Sequence, residues 1–253
     1  MSSPPKITFP LPDLELILVE KGQVTLGRDK TNRSLDIAAF YMAKFPVTQG
    51  LYEAVMEKES LSRFKGTSRP LETISWFDAR KFIALLNAMP PVRETIAQQF
   101  PKKDHNSIAF RLPSEAEWEF AAKGGIYSSG YEYAGSDDLK QVAWYKENSG
   151  KETKPIGLLS PNELGIYDMS GNIWEWCEDD YHDEKELGSR DRSNDGTAWV
   201  DGLNSEERAT GRVVRGGSYF IYPIYYHSAY RFRNHPDDAN RDIGFRLVIG
   251  FLV

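Results

Sequence analysis

The 253-residue chain has a single cysteine, Cys177. No intramolecular disulfide can form, and thiol chemistry that needs a pair of cysteines is excluded by count. Histidine is also scarce. His105, His182, His227 and His235 complete the set, and no two stand three or four residues apart as ligands on one helical face would. Excess positive charge is lacking too: 31 Lys and Arg face 37 Asp and Glu, for a formal charge of −6. A chain of this balance is not expected to carry the wide basic footprint of a nucleic-acid binder, although a local basic patch stays open. Long apolar runs are missing. The run Leu14–Val19 is short and interrupted by Glu15, so neither a signal peptide nor membrane insertion is expected within these residues. Low cysteine usage fits a reducing compartment and a bacterial surface protein equally well, which leaves localisation open.

What is present suits a globular protein. Hydrophobic residues make up 40% and charged residues 27%, enough apolar side chains for a sizeable core in a chain of this length. Three segments read as helices. Val47–Met56 follows Pro46 and carries Leu51, Val55 and Met56. Trp76–Met89 follows Ser75 as N-cap, has Asp78 in its first turn, and is ended by Pro90. Ser114–Lys123 opens on a capping box, Ser114 with Glu117, and is stopped by Gly124 and Gly125. Elsewhere short strand-like runs alternate with turn residues. Leu14–Val19 and Gln23–Leu26, joined through Gly22, are expected to form a hairpin, and Arg212–Arg215 and Ile243–Ile249 to form C-terminal strands. Residues 183–210 are polar and read as a surface insertion. The organisation expected is one α+β domain spanning 1–253.

Five segments appear in a fixed order: MAKFPVTQGLYEAVM, RPLETISWFDARKFIALLN, RLPSEAEWEFAAKGG, LGIYDMSGNIWEWCEDDY, and RVVRGGSY followed by IGFRLV. Together they resemble the formylglycine-generating-enzyme, or sulfatase-modifying-factor, family. That resemblance implies a variant of the C-type lectin fold, loop-rich, with a few helices and short antiparallel strands. The same residues have a plainer reading as scaffold. Trp118, Trp174 and Trp176 would fill the core of a fold short of regular structure. Gly216 and Gly217 would meet a tight backbone requirement before a strand. Glu115, Glu117 and Glu119 are best explained by capping and solvent exposure.

The resemblance also bears on chemistry. The family's enzymes use two cysteines just after the RGGS segment, thiolates being suited to a soft metal ion. The matching positions here fall at about Ile221 and Tyr226, neither of which supplies a thiolate. Cys177 lies in a different segment and reads as a small buried side chain. A non-enzymatic role is therefore expected, and no cofactor is expected to be required. A divergent metal-dependent oxidase is the alternative. The segment SGNIWEW resembles the family's calcium loop, which would place a structural calcium at Ser170, Asn172, Ile173 and Glu175. Asn172 capping a turn and Glu175 in an ion pair is the equal alternative.

The stretch Tyr219–Asp242 is unlike a core strand. Tyr219, Phe220, Tyr222, Tyr225, Tyr226, Tyr230 and Phe232 are interleaved with Asn, Asp, His and Ser at no regular period. Tyrosine mixed with small polar residues is the chemistry of a paratope, large rigid rings beside adaptable hydrogen-bonding groups. Lys, Glu, Gln, Met and Trp are absent from the stretch. The residues present are all reachable from the asparagine codons AAC and AAT by changing adenines alone, and the missing five are not. This pattern resembles the variable protein of a diversity-generating retroelement. It implies a hypervariable ligand-binding face at about 219–242, displayed on a bacterium or phage, with a protein or another surface macromolecule as partner. The positions expected to vary and bind are Phe220, Ile221, Tyr222, Ile224, Tyr225, Tyr230, Phe232, Asn234, His235, Asp238, Asn240 and Asp242. Tyr219, Tyr226 and His227 are borderline. Gly216–Ser218, Ser228, Ala229, Arg231, Pro236 and Ile243–Arg246 read as fixed scaffold.

Overall fold

Short apolar runs set the strands of this protein, some alternating with open residues and others buried almost throughout, and side-chain caps set most of its helices. The computed structural model describes residues 4–27, 34–183, 193–200 and 211–251. One sheet is built from β1 (Lys6–Thr8), β2 (Glu15–Val19), β5 (Phe40–Ala43), β13 (Val248–Phe251) and β6 (Ile108–Arg111), in that spatial order. A second follows the order β11 (Phe232–Asn234), β10 (Arg212–Arg215), β9 (Trp174–Asp180), β12 (Ile243–Phe245). Two small ribbons pair β3 (Gly22–Thr25) with β4 (Ser34–Ile37), and β7 (Ala143–Trp144) with β8 (Ser170–Gly171). Most pairings are antiparallel; β12 with β9 and β7 with β8 are parallel. With only five α-helices described, this is the mixed, loop-rich architecture expected.

The helices form where their caps dictate. α1 (Gln49–Met56) starts at Thr48, whose hydroxyl accepts from the Leu51 N–H. α2 (Trp76–Ala88) starts at Ser75, whose hydroxyl accepts from Asp78 N–H at 3.0 Å and donates to the Asp78 carboxylate at 2.8 Å. α4 (Glu115–Ala122) carries the anticipated capping box: Ser114 Oγ accepts from Glu117 N–H at 3.0 Å, and Glu117 Oε2 accepts from Ser114 N–H at 2.8 Å. α5 (Leu139–Val142) is one turn capped by Asp138. α3 (Pro90–Gln99) was not anticipated. Pro90 does end α2, but its fixed φ and missing N–H also suit the first position of a new helix.

Four expectations of strand, turn and burial are corrected. The hairpin through Gly22 does not form: β2 pairs with β1 and β5, and β3 pairs with β4. Gly22 does not bend the chain back. A Cβ there would lie 2.6 Å from Phe120 Cζ, so the glycine lets the backbone lie against α4. The expected strand Ile243–Ile249 divides into β12 and β13, which belong to different sheets, with the buried Arg246 and Leu247 between them. Gly216 and Gly217, at φ 97° and 81°, follow β10 and precede no strand.

The fourth correction concerns charge. All eight residues of α4 are buried, including Glu115, Glu117 and Glu119, which were expected to face solvent. Arginines meet them, two of the three from about a hundred residues away. Arg215 of β10 donates to Glu119, Arg231 binds Glu115 through two hydrogen bonds of 2.5 and 2.8 Å, and Arg111 binds Glu117 through two of 2.6 Å. Arg246 likewise grips both carboxylate oxygens of Glu175 at 2.8 Å. Burying an unpaired charge is prohibitive, so each of these carboxylates depends on its arginine. Of the expected insertion, 184–192 and 201–210 lie outside the described residues. The segment 193–200 is docked on the frame: Ser114 Oγ donates to Gly196 O at 2.6 Å, and the ring of Trp199 stacks on His182 with centroids 3.6 Å apart.

Candidate ligand-binding face

The segment after β10 is anchored at intervals by buried groups, and the residues between the anchors reach solvent. Gly217 brings the chain against Tyr226, whose ring a Cβ there would meet at 2.7 Å. Tyr226 is buried and its hydroxyl donates to the Ser218 carbonyl; burial pushes that hydroxyl well above its ordinary pKa. Tyr219 is buried too, with its N–H on Asn172 O at 2.8 Å and its ring edge-on to Phe64. Arg215 donates to the carbonyls of Tyr230 and Ser228, and Ser228 N–H reaches Glu132 O at 3.0 Å. Arg231, held by Glu115, also donates to His182 O at 2.8 Å. Further on, Trp76 N–H binds Pro236 O at 3.0 Å, Thr73 N–H binds Asn240 O at 3.0 Å, and Trp174 N–H binds Asp242 O at 2.8 Å. Anchoring of this density fixes the backbone; Ile221 and Tyr230 still pack on the core, while Phe220, Tyr222, Ile224, Tyr225 and Phe232 are left open.

Between the anchors the rings emerge. A 3₁₀ turn at Pro223–Tyr225 lifts its neighbours outward. Relative exposure is 37% for Phe220, 57% for Tyr222, 66% for Ile224, 37% for Tyr225 and 47% for Phe232, so each offers a large apolar surface for contact. His235, Asp238 and Asn240 are also exposed, and Ile221, Tyr230 and Asn234 are half-buried. Asp242 is the exception among the positions expected to bind. It is buried at 8% exposure, and burial raises its carboxyl above the ordinary range, because it sits where the chain enters β12. Of the borderline positions, Tyr219 and Tyr226 are buried and His227 is half-buried.

Exposed Tyr225 and exposed Phe232 are linked through half-buried Tyr230 and buried Trp174. Tyr225 meets Tyr230 at 5.2 Å, Tyr230 meets Trp174 at 6.1 Å, and Trp174 stacks on Phe232 at 5.6 Å. On the other flank Phe220, Ile221, Tyr222 and Tyr225 line a cavity of about 420 Å³. Tyr219 and Arg241 of the same stretch also line it, and the rest of its wall comes from residues the sequence did not single out: Arg63, Phe64, Lys146 and Lys151. No local pattern marks these residues, because they reach the face from other parts of the chain. Trp174 is core, as its type suggested, and supports Tyr230 and Phe232 from beneath.

For the SGNIWEW loop a calcium ion and an ion pair at Glu175 were equal expectations, and the ion pair is present. Glu175 spends its carboxylate on Arg246 and on Trp118 Nε1, the latter at 2.7 Å. Asn172 Oδ1 accepts from Lys154 N–H at 2.9 Å, its Nδ2 donates to Lys154 O at 3.0 Å, and its main-chain carbonyl holds Tyr219. Ser170 Oγ accepts from Ala134 N–H at 3.1 Å, and Ile173 is buried. A guanidinium already supplies the positive charge, so this donor set does not fit a calcium ion. Among the described residues no cluster of three His, Cys, Asp or Glu is placed to hold a metal. Cys177 is fully buried, and burial pushes its thiol up.

Comparison with known proteins decides the family. A model described as the sulfatase-modifying factor enzyme 1-like domain matches residues 7–250. The chain belongs to this family. Treponema denticola variable protein 1 superposes on it with a TM-score of 0.78 at 27% identity, covering 96% of this chain and 98% of that one. The chaperone protein LppX of Paenibacillus barcinonensis is 33% identical, with 76% of this chain and 81% of that protein covered. The formylglycine-generating enzyme of Thermomonospora curvata is 32% identical over 54% of this chain and 48% of the enzyme, so the match spans about half the enzyme's length. The fold is thus the C-type-lectin-like fold of the sulfatase-modifying factor family. Within it, the stretch carrying Ile221 and Tyr226 forms a ring-rich surface with no cysteine on it. Among the described residues, no helix is long and apolar enough to cross a membrane.

Proposed function

We propose that this member of the sulfatase-modifying factor family is a non-catalytic ligand-binding protein whose binding face is the exposed part of Phe220–Asn240. The observation that carries this reading is the alternation of buried anchors and open rings along one segment. Aromatic side chains bury large areas on contact at low conformational cost, and the neighbouring Asn, Asp and His set polar specificity. Five large apolar side chains left open along one short segment are the kind of surface that marks an interaction site. The single, buried cysteine supports recognition over thiol-based turnover.

Diversification by a retroelement is part of the same proposal. It is supported by the likeness to a variable protein and by a composition confined to what adenine changes in AAC and AAT can reach. Surface display and a macromolecular partner belong with it. The test is in the encoding DNA. A near-identical downstream repeat differing chiefly at adenines, beside a reverse-transcriptase gene, is the expected result; an unduplicated locus contradicts diversification. Stoichiometric copper or iron in the purified protein would favour a divergent oxidase instead.

A further inference from the structure

The cavity beside the rings has a charge opposite to that of the molecule. The chain carries a net −6, yet Arg63, Lys146, Lys151 and Arg241 all line this one pocket. Among the described residues none of the four has a carboxylate within salt-bridge distance, although the charge of Arg241 is felt by the buried Asp242 carboxyl. Arg63, Lys151 and Arg241 are exposed; Lys146 is half-buried. Each arginine and Lys146 is instead poised over a ring. The Arg63 guanidinium is 5.5 Å from the Phe64 centroid, Arg241 is 5.4 Å from Phe220, and Lys146 Nζ is 3.7 Å from Tyr222, to whose hydroxyl it also donates. Two carboxyl groups lie close by, Glu72 and Asp242, but neither lines the pocket. Asp242 is buried, and Glu72 accepts from the main-chain N–H groups of Arg63 and Phe64. The surface a ligand meets is therefore cationic and aromatic.

We infer that this pocket receives a carboxylate side chain from an acidic polypeptide segment of the partner. The inference deepens the proposed function and rests on the ring-rich face being a binding face. Guanidinium forks match a carboxylate with two parallel hydrogen bonds, and the rings cover the aliphatic stem that carries it. Size and charge favour a peptide over a polyanion. A nucleic acid or sulfated glycan gains affinity from a long track of cations, whereas here four cations surround one cavity of about 420 Å³ on a protein that is otherwise net negative.

Panning a random peptide library displayed on phage against the immobilised protein tests this. Enriched sequences should carry Asp or Glu next to an apolar residue. A synthetic peptide of that sequence should bind about tenfold more weakly to Arg63→Gln or Arg241→Gln, and more weakly again as salt is raised. Both substitutions are at exposed sites, and circular dichroism checks that the fold is retained. Enrichment of neutral peptides that ignore these two variants but lose binding to Tyr222→Ala or Phe232→Ala would overturn the acidic assignment and leave the binding face standing. No enrichment, or enriched peptides that ignore the ring variants too, would overturn both. A thymidine oligonucleotide or heparin fragment that binds more tightly than the acidic peptide would overturn the choice of polypeptide.

Discussion

Glu115 shows how much a single side chain contributes to this molecule. It is buried in α4 and neutralises Arg231, which in turn holds the segment carrying the exposed rings. Replacing Glu115 with Gln leaves a buried guanidinium without its counter-charge, and urea unfolding should report a loss of about 3–5 kcal/mol. Asp168 makes a different kind of statement. Burial raises its carboxyl pKa to about 6, against partial relief from the Gly157 N–H and Asn172. The folded state then binds the proton more tightly than the unfolded chain, so this group's contribution to stability grows as pH falls from about 6 towards 4 and is lost as pH rises through that window. Asp168→Asn should flatten the dependence, and the difference between the two proteins, read by thermal unfolding across pH, should reach about 2–3 kcal/mol. Residue roles were legible where the partner is local. Ser114 and Glu117 stand three apart and announce their cap. Glu115 and Glu119 share a helix face, but nothing near them in sequence says that Arg231 and Arg215 will arrive opposite.

Among the elements, the same division between local and distant causes holds. α2 and α4 could be placed from their caps and their glycine or proline stops. Ser75→Ala should cost about 1 kcal/mol, the usual loss for an N-cap. Ser114→Ala should cost more, because its hydroxyl also binds the Gly196 carbonyl across 82 residues of chain; parallel urea unfolding of the two variants gives the comparison. α3 escaped notice because a proline that ends one helix reads as a stop, whereas here it also starts the next. The hairpin at Gly22 failed for a packing reason, since the glycine serves the contact with Phe120. The run Ile243–Ile249 looked continuous because both halves are apolar, yet Arg246 marks the point where the chain leaves one sheet for the other. Pairing partners depend on the whole topology and are not written in the strand itself.

For the whole molecule, a frame bound together by buried arginine–carboxylate pairs presents a face that packing does not require. The division was legible in outline from Tyr219–Asp242, because rings without periodicity and small polar residues do not build a core. Asp242 was misjudged since its type suits a variable surface while its place is the entry to β12. The pocket cations were missed because Arg63, Lys146 and Lys151 lie far from that stretch in sequence. The most direct measurement is thermal unfolding of a variant with Phe220, Tyr222, Ile224 and Tyr225 all changed to serine. A frame independent of its face predicts one cooperative transition within a few degrees of the parent protein, with stability changed by no more than about 1–2 kcal/mol. A broad, non-cooperative melt, or a fall as large as that expected for Glu115→Gln, would show that these rings hold the fold together and would contradict the account.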